Sequence, residues 1–382
     1  MSFLDPTLDQ APRGLRKILF FNWPLVLLVI AVSGFGFLML YSVAGGSLDP
    51  WARPQIIRFS AGMVIMFVVA FVPLAFWRQV SPMVYIGGLV LLLIVNLFGA
   101  TGMGAQRWLN LGFIQLQPSE VMKIAIVMAL ALYYDWLPSE KVSRPLYVAI
   151  PLLLIAVPAM MVVVQPDLGT AILLVLSGGV VMFLAGVSYW YFGGAIAIGV
   201  GAVTSVFMSR GTGWQLLKDY QYRRIDTFLD PSLDPLGAGY HITQSKIALG
   251  SGGISGRGFM QGTQSRLNFL PEKQTDFIFT TLAEEFGYIG STILLILYAL
   301  IMVFAISAAM KNKNRFGALL IGGVASTFFF YFALNMAMVM GLAPVVGVPL
   351  PLVSYGGSAM LVLLGGFGLI QSAHVHGRGA RS

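Results

Sequence analysis

Residues 267–290 read LNFLPEKQTDFIFTTLAEEFGYIG, and the order of residue types within them decides what kind of molecule this is. Charged and turn-forming residues (Pro271, Glu272, Lys273, Asp276) give way within a few positions to an apolar run that continues to about residue 308. A run of that length crosses the hydrocarbon layer, about 30 Å thick, as a helix. An ionised side chain in that layer costs about 2.5–3.5 kcal/mol even on lenient insertion scales, so Glu272, Asp276, Glu284 and Glu285 need water, a partner or a task.

The same pattern recurs along the 382 residues. Mean hydropathy is +0.83, with 57% hydrophobic and 10% charged residues, too little charge to cover a soluble fold of this size. Ten apolar runs predict an all-α, polytopic membrane protein with ten transmembrane helices, at 22–42, 54–74, 83–100, 118–135, 146–164, 168–187, 189–208, 276–308, 316–340 and 350–373. Lys and Arg in short loops collect on the cytoplasmic side. With the N-terminus inside, Arg13, Arg16, Lys17, Arg78, Lys141, Arg144, Lys311, Lys313, Arg315, Arg378 and Arg381 all fall there, whereas only Arg53, Arg58 and Arg107 lie in short outer segments. Both termini are therefore expected in the cytoplasm, with segment 1–21 and tail 374–382 flanking a single membrane domain that takes in the whole chain, 1–382. The head lacks a small-residue cleavage pattern, so the first run is expected to stay as an uncleaved span.

Residues 209–275 stand apart as one large extracytoplasmic loop between spans 7 and 8. Asp-Pro turns, glycines and paired charges fill it, but Trp214, Tyr220, Tyr222, Phe228, Tyr240, Ile242, Phe259 and Phe269 argue that it is ordered, with short helices near 222–229 and 240–249. The absence of cysteine rules out a disulfide or thiol redox chemistry. Three histidines, two of them in the tail, argue against a zinc site, so no metal ligands are assigned. Basic residues are scattered over both faces, which excludes a nucleic-acid stripe.

Asp276 is the candidate catalytic residue. A lone aspartate there also serves as an ordinary helix-start residue. Thr280 and Glu284, four and eight positions on, extend a polar strip along one face, however, and such a strip suits a cavity rather than lipid. A second constellation lies in GAQRWLNLGFIQLQPSEVMKIA, residues 104–125, where Pro118 and Glu120 open a helix and Lys123 sits three positions deeper. This reads either as a helix start with an intrahelical ion pair or as a cation held by Glu120 and aimed into an outward cleft, with Arg107 and Trp108 beside it. The outer loop adds eight basic residues, among them Arg223, Lys246 and Arg266, which suit phosphate oxygens or simply face solvent. Gly-rich SGGISGRG, residues 251–258, offers backbone amides to an anion but matches no phosphate-loop pattern. The Pro- and Gly-rich break PVVGVPLPLVSYGGS, residues 344–358, places Ser354 and Tyr355 either at a cavity or at a structural hinge. Asp167 of QPDLGT reads as a helix cap.

Taken together, GAQRWLNLGFIQLQPSEVMK, QPDLGTA, FLDPSLDPLGAGYHITQSKIALGSGG, GTQSRLNFLPEKQTDFIFTTLAEEFG and PLVSYGGS resemble the SEDS family of peptidoglycan polymerases, and more its elongation (RodA-like) than its division (FtsW-like) branch. The resemblance implies a lipid II polymerase at the outer face of the bacterial cytoplasmic membrane, working in cell elongation and shape. Glycan on a polyprenyl diphosphate would be transferred, with inversion, to the sugar 4-hydroxyl of lipid II. It implies that Asp276 is the essential aspartate and that Glu120 and Lys123 are the paired residues of the QPSExxK segment. Lys273-Gln274 stands where Arg-His is often found. Substrate contacts are then expected from Glu120, Lys123, Arg107, Trp108, Arg223, Lys246, Arg266 and Ser354. The implied partners are a class B penicillin-binding protein and other membrane proteins of the elongation machinery. No cofactor is required by the sequence, although a divalent cation bridging the diphosphate is chemically allowed. A lipid II flippase, which should carry polar residues on into the cytoplasmic half, and a non-catalytic scaffold are the alternatives.

Overall fold

A computed structural model describes residues 14–102, 105–110, 112, 115–216, 219–234, 238–266 and 272–377. Seven long helices come first: α1 (Trp23–Val43), α2 (Ala52–Phe71), α3 (Leu74–Phe98), α4 (Pro118–Trp136), α5 (Pro145–Val164), α6 (Leu168–Leu184) and α7 (Tyr189–Ser209). The loop segment holds α8 (Asp219–Leu229), α9 (Ala238–Ser251) and α10 (Thr263–Arg266), and the bundle closes with α11 (Ile278–Lys311), α12 (Arg315–Val339) and α13 (Ser358–His376). Among the described residues, eight helices are long and apolar enough to cross a membrane: α1, α2, α3, α5, α7, α11, α12 and α13. The protein is thus a multi-pass membrane protein. The other two predicted spans also form helices, α6 with 17 residues and α4 with its charged first turns.

Two boundaries depart from the sequence pattern. The third helix starts at Leu74 rather than 83, because it continues past Pro82 beyond the apolar run and carries Arg78 to an ion pair with Asp135 at 2.7 Å. The last helix starts at Ser358 rather than 350, since Pro349, Pro351 and the Gly356-Gly357 pair keep residues 341–357 irregular. That segment is buried in protein at Val348, Leu350, Leu352, Val353 and Ser354, the condition under which non-helical backbone is tolerated at membrane depth. Leu352 holds a left-handed backbone (φ +67°), which costs a leucine about 1–2 kcal/mol and persists only where packing dictates it. Nor is the fold purely helical: β1 (Ala100–Gly102), β2 (Ala105–Asn110) and β3 (Gln115–Leu116) form an antiparallel ribbon pairing Thr101 with Gln106 and Leu109 with Leu116.

Helix α4 is the buried centre and packs on α3, α5, α6, α12 and α13. Around it α2 packs on α13, and α11 packs between α1 and α12. In α7 only Ser209 is buried, so this helix stands at the edge of the bundle.

The polar strip beyond Asp276 does not line a cavity, as its spacing had suggested; it fastens the outer loop. Thr280 meets Ser245 of α9 at 3.1 Å, Glu284 Oε1 accepts from Thr263 Oγ1 and the Gln264 amide at 3.0 Å each, and Ser42 donates to Glu285. Gly287 breaks α11 with φ +62° and ψ −157°. The amides of Tyr288 and Ile289, deprived of helical acceptors, donate to the carbonyls of Gly253 and Ile254 at 2.9 and 3.1 Å. The carbonyls of Glu284 and Glu285 accept in turn from the amides of Arg257 and Gly258 at 3.0 Å each. The glycine-rich stretch therefore completes a broken membrane helix, and these amides are not available to an anion. At Gly256 (φ +82°) an added Cβ would lie 2.1 Å from the Glu285 carbonyl oxygen. Gly256→Ala is accordingly expected to destabilise the protein by about 1–3 kcal/mol, seen as a lower thermal midpoint in detergent and as faster proteolysis of the loop.

Candidate active site

A cavity of about 1100 Å³ opens where the first turns of α2, α4 and α6, the β ribbon, the turn before α11 and the irregular 347–357 segment converge. Asp276 lies in the turn 272–277, just ahead of the α11 span. Partial burial, with the nearby Glu272 carboxylate adding to it, pushes its carboxyl up to about 6. One of its oxygens faces Gly347, and among the described residues no hydrogen bond or ion pair engages its carboxylate. Lys273 beside it has its ammonium pushed below the usual range by burial.

Across the cavity, α4 presents Glu120 and Lys123 one turn apart, both buried. Lys123 Nζ donates to Glu120 Oε1 at 2.8 Å and to the Tyr331 hydroxyl, which donates to the other Glu120 oxygen. The ammonium also lies 4.1 Å from the Tyr331 ring centre. This closed triangle explains how a lysine survives at 1% exposure: both charges are paired, and the remaining carboxylate lone pairs have a hydroxyl. Tyr331 on α12 was not singled out in the sequence, where it stands among the aromatic residues of STFFFYF.

Trp108 and Arg107 line the same space from β2. The Arg107 guanidinium is held by the carbonyls of Gln165 (3.1 Å) and Pro166 and lies 3.9 Å from Asp167. Asp167 caps α6 by accepting from the Thr170 amide at 3.1 Å, as its position suggested, and also faces the cavity and accepts from Gln117 at 3.2 Å. Arg53 and Arg58 of α2, which the sequence offered only as topology markers, line the opposite wall, with the Arg58 guanidinium 4.7 Å above the Tyr355 ring.

Other sequence candidates lie elsewhere. Ser354 does not line this cavity; its hydroxyl donates to the Thr275 carbonyl at 2.5 Å and accepts from the Leu350 amide at 2.8 Å, so it shapes backbone. Lys246 and Arg266 are exposed and outside the cavity lining, because α9 faces the bundle through Ile242, Ser245 and Ala248 and leaves Lys246 against Gly341. The side chain of Arg223 lies outside the described residues.

A buried ion-pair triangle and a free carboxylate facing one polar chamber at the end of a helical bundle define a multi-pass membrane protein with an internal chamber lined by both acidic and basic side chains. The FtsW/RodA/SpoVE family model, described as "Cell cycle protein", matches residues 23–379, and the chain belongs to that family. It is 44% identical to the peptidoglycan glycosyltransferase MrdB of Escherichia coli K12 over 92% of this chain and 93% of the relative, against 31% for a probable peptidoglycan glycosyltransferase FtsW of Escherichia coli O6:H1 (91% and 84%). The similarity is therefore greater on the elongation side. A solved structure described as "Structural coordination of polymerization and crosslinking by a peptidoglycan synthase complex" superposes with a TM-score of 0.80 at 30% identity, covering 93% of this chain and 97% of that one.

Proposed function

We propose that this chain is a peptidoglycan glycosyltransferase that polymerises lipid II at the outer face of the bacterial cytoplasmic membrane. The observation that carries the assignment is the free carboxylate of Asp276 in a cavity walled by Lys123, Arg107, Arg53 and Arg58. Asp276 takes the proton from the acceptor 4-hydroxyl as that oxygen attacks the donor anomeric carbon. The anomeric carbon–phosphate oxygen bond breaks, and the lipid diphosphate leaves with the bonding pair. Single displacement inverts an α-linked donor to a β-linked product, so one base suffices. The cations stabilise the developing diphosphate charge, and Arg107 is oriented for this by the 165–166 carbonyls. Glu120 and Tyr331 hold the Lys123 ammonium in place.

The ten long helices serve as ten spans, with both termini in the cytoplasm and residues 209–275 outside, an arrangement the basic residues of the short loops favour. A class B penicillin-binding protein is the transpeptidase partner, in keeping with the polymerisation and crosslinking pairing named for the structural relative. Against flipping, the space below Lys123 and Tyr331 narrows to a small pocket walled by Ile124, Thr327 and Leu363, and α4 continues beyond it through fully buried Ile126, Val127, Leu130 and Ala131.

The deciding experiment gives purified protein and its transpeptidase partner fluorescent lipid II, in detergent and in liposomes. Polymer in both preparations supports the assignment; translocated but unpolymerised lipid overturns it. The initial rate is also expected to fall tenfold per unit as pH drops below about 6, because the base must be ionised and burial has raised its pKa to that value. A flat profile between about pH 5 and 8 would remove Asp276 from that role.

A further inference from the structure

Three consecutive backbone carbonyls around the candidate base are each held by a different donor. The Gln274 carbonyl accepts from the Tyr355 amide at 2.8 Å, that of Thr275 from the Ser354 hydroxyl at 2.5 Å, and that of Asp276 from the Asn335 side-chain amide at 2.9 Å. The same Asn335 nitrogen donates to the Val348 carbonyl at 2.7 Å. Two carbonyl oxygens at hydrogen-bond distance call for an NH₂ group, which uses both its protons here. Asn335 is fully buried, and its own side-chain oxygen has no partner, so this pair of donated bonds is its whole hydrogen-bonding engagement.

The irregular segment that supplies two of the donors is itself held from the far side. Gln55 of α2, fully buried, donates to the Ser354 carbonyl at 3.0 Å and accepts from the Gly356 amide at 3.2 Å. The Tyr298 hydroxyl of α11 donates to the Pro351 carbonyl. A fully buried asparagine in an apolar helix, and a fully buried glutamine between Arg53 and Arg58 in the first turns of α2, are expensive and call for a task. Neither lines the cavity, so the task is not substrate contact.

We infer that Asn335 and Gln55 are positioning residues for the glycosyl transfer, acting through a clamp in which residues 348–356 and α12 fix the backbone of residues 274–276 and so set where the Asp276 carboxylate stands. The inference rests on the assignment of Asp276 as base. Release of the Asp276 carbonyl frees the whole turn ahead of α11, and the Asp276 side chain moves with that turn. Misplacement of a reacting group by about 1 Å costs on the order of a hundredfold in rate.

The test compares wild type, Asn335→Asp, Asn335→Ala, Gln55→Leu and Asp276→Asn, each as the complex with its partner, by lipid II polymerisation across pH and by thermal unfolding. Ser326→Ala, on the same buried helix and outside both site and clamp, is the control. Asn335→Asp is isosteric but turns an acceptor toward two carbonyl oxygens. Its kcat is expected to fall about 30- to 100-fold with KM for lipid II within about threefold, and in Asn335→Ala, which adds no carboxyl, the acid limb of the pH profile is expected to move down by about one unit as the Asp276 carboxyl leaves its buried seat. Gln55→Leu, one layer further out, is expected to lose about tenfold in kcat. A purely structural role would lower the thermal midpoint and leave the pH limb in place; that result, or folded Asn335 variants with wild-type kcat, overturns the clamp. If neither Asn335 variant folds, Gln55→Leu decides by the same kcat and pH criteria. If Asp276→Asn polymerises normally, the assignment of the base fails and the clamp falls with it; if Asp276→Asn is dead while the Asn335 variants are not, the clamp alone is wrong.

Discussion

Asp276→Asn is expected to lower lipid II polymerisation by about 10²- to 10⁴-fold, the range a single general base contributes, without unfolding the protein. The fold should tolerate it because the turn is held through the backbone carbonyls of residues 274–276, which the substitution leaves untouched. Stability should even rise at neutral pH. The folded carboxyl has its pKa raised from 3.8 to about 6 by burial, so the folded state holds this proton more tightly than the unfolded chain does. Stability contributed by the wild-type group therefore falls as pH rises between about 4 and 6 and stays low above that range. The neutral amide removes this penalty, and the variant's thermal midpoint should match or exceed wild type at pH 7.5, with the gap closing on acidification. A variant that polymerises at the wild-type rate, or one that is inactive only because it unfolds, would contradict this account.

The second large effect concerns the triangle of Glu120, Lys123 and Tyr331. Lys123→Met leaves the buried Glu120 carboxyl with the Tyr331 hydroxyl but without its cation, and removal of one partner from a buried ion pair costs about 3–5 kcal/mol. The single variant should therefore fold poorly. The double variant Glu120→Gln with Lys123→Met removes both charges, and its thermal midpoint should return close to that of wild type. Polymerisation should stay lost in both, because the cation proposed to stabilise the leaving diphosphate is gone in each. Thermal melts of the single and double variants separate the two roles: a double variant that folds and polymerises normally would make the triangle a structural device only.

The helices were legible because lipid demands long apolar runs, and Glu120, Lys123 and Asp276 were legible because charge near such runs is costly. Tyr331 was invisible among neighbouring aromatics. Asn335 did carry a signal, a single amide in an apolar stretch, whereas Gln55 was hidden between Arg53 and Arg58, and the carbonyls both serve belong to segments far away in the chain. Thr280 and Glu284 misled for a related reason. Periodicity reports which face of a helix is polar, but not whether water or a glycine-rich loop covers that face. The ribbon at 100–116 was missed because its strands are short and its polar and apolar residues do not alternate cleanly.

Surface loops ordinarily accept insertions and deletions, which makes them the natural place for epitope tags, fluorescent fusions and protease sites. The stretch from Gly253 to Gly258 has no such freedom, since its backbone supplies the hydrogen bonds that α11 lacks at Gly287. Engineering of this chain should leave that stretch at its native length and graft foreign sequence near residues 213–215, where every residue is exposed and the Thr212 and Leu216 bonds to Ser209 at the end of α7 can be kept.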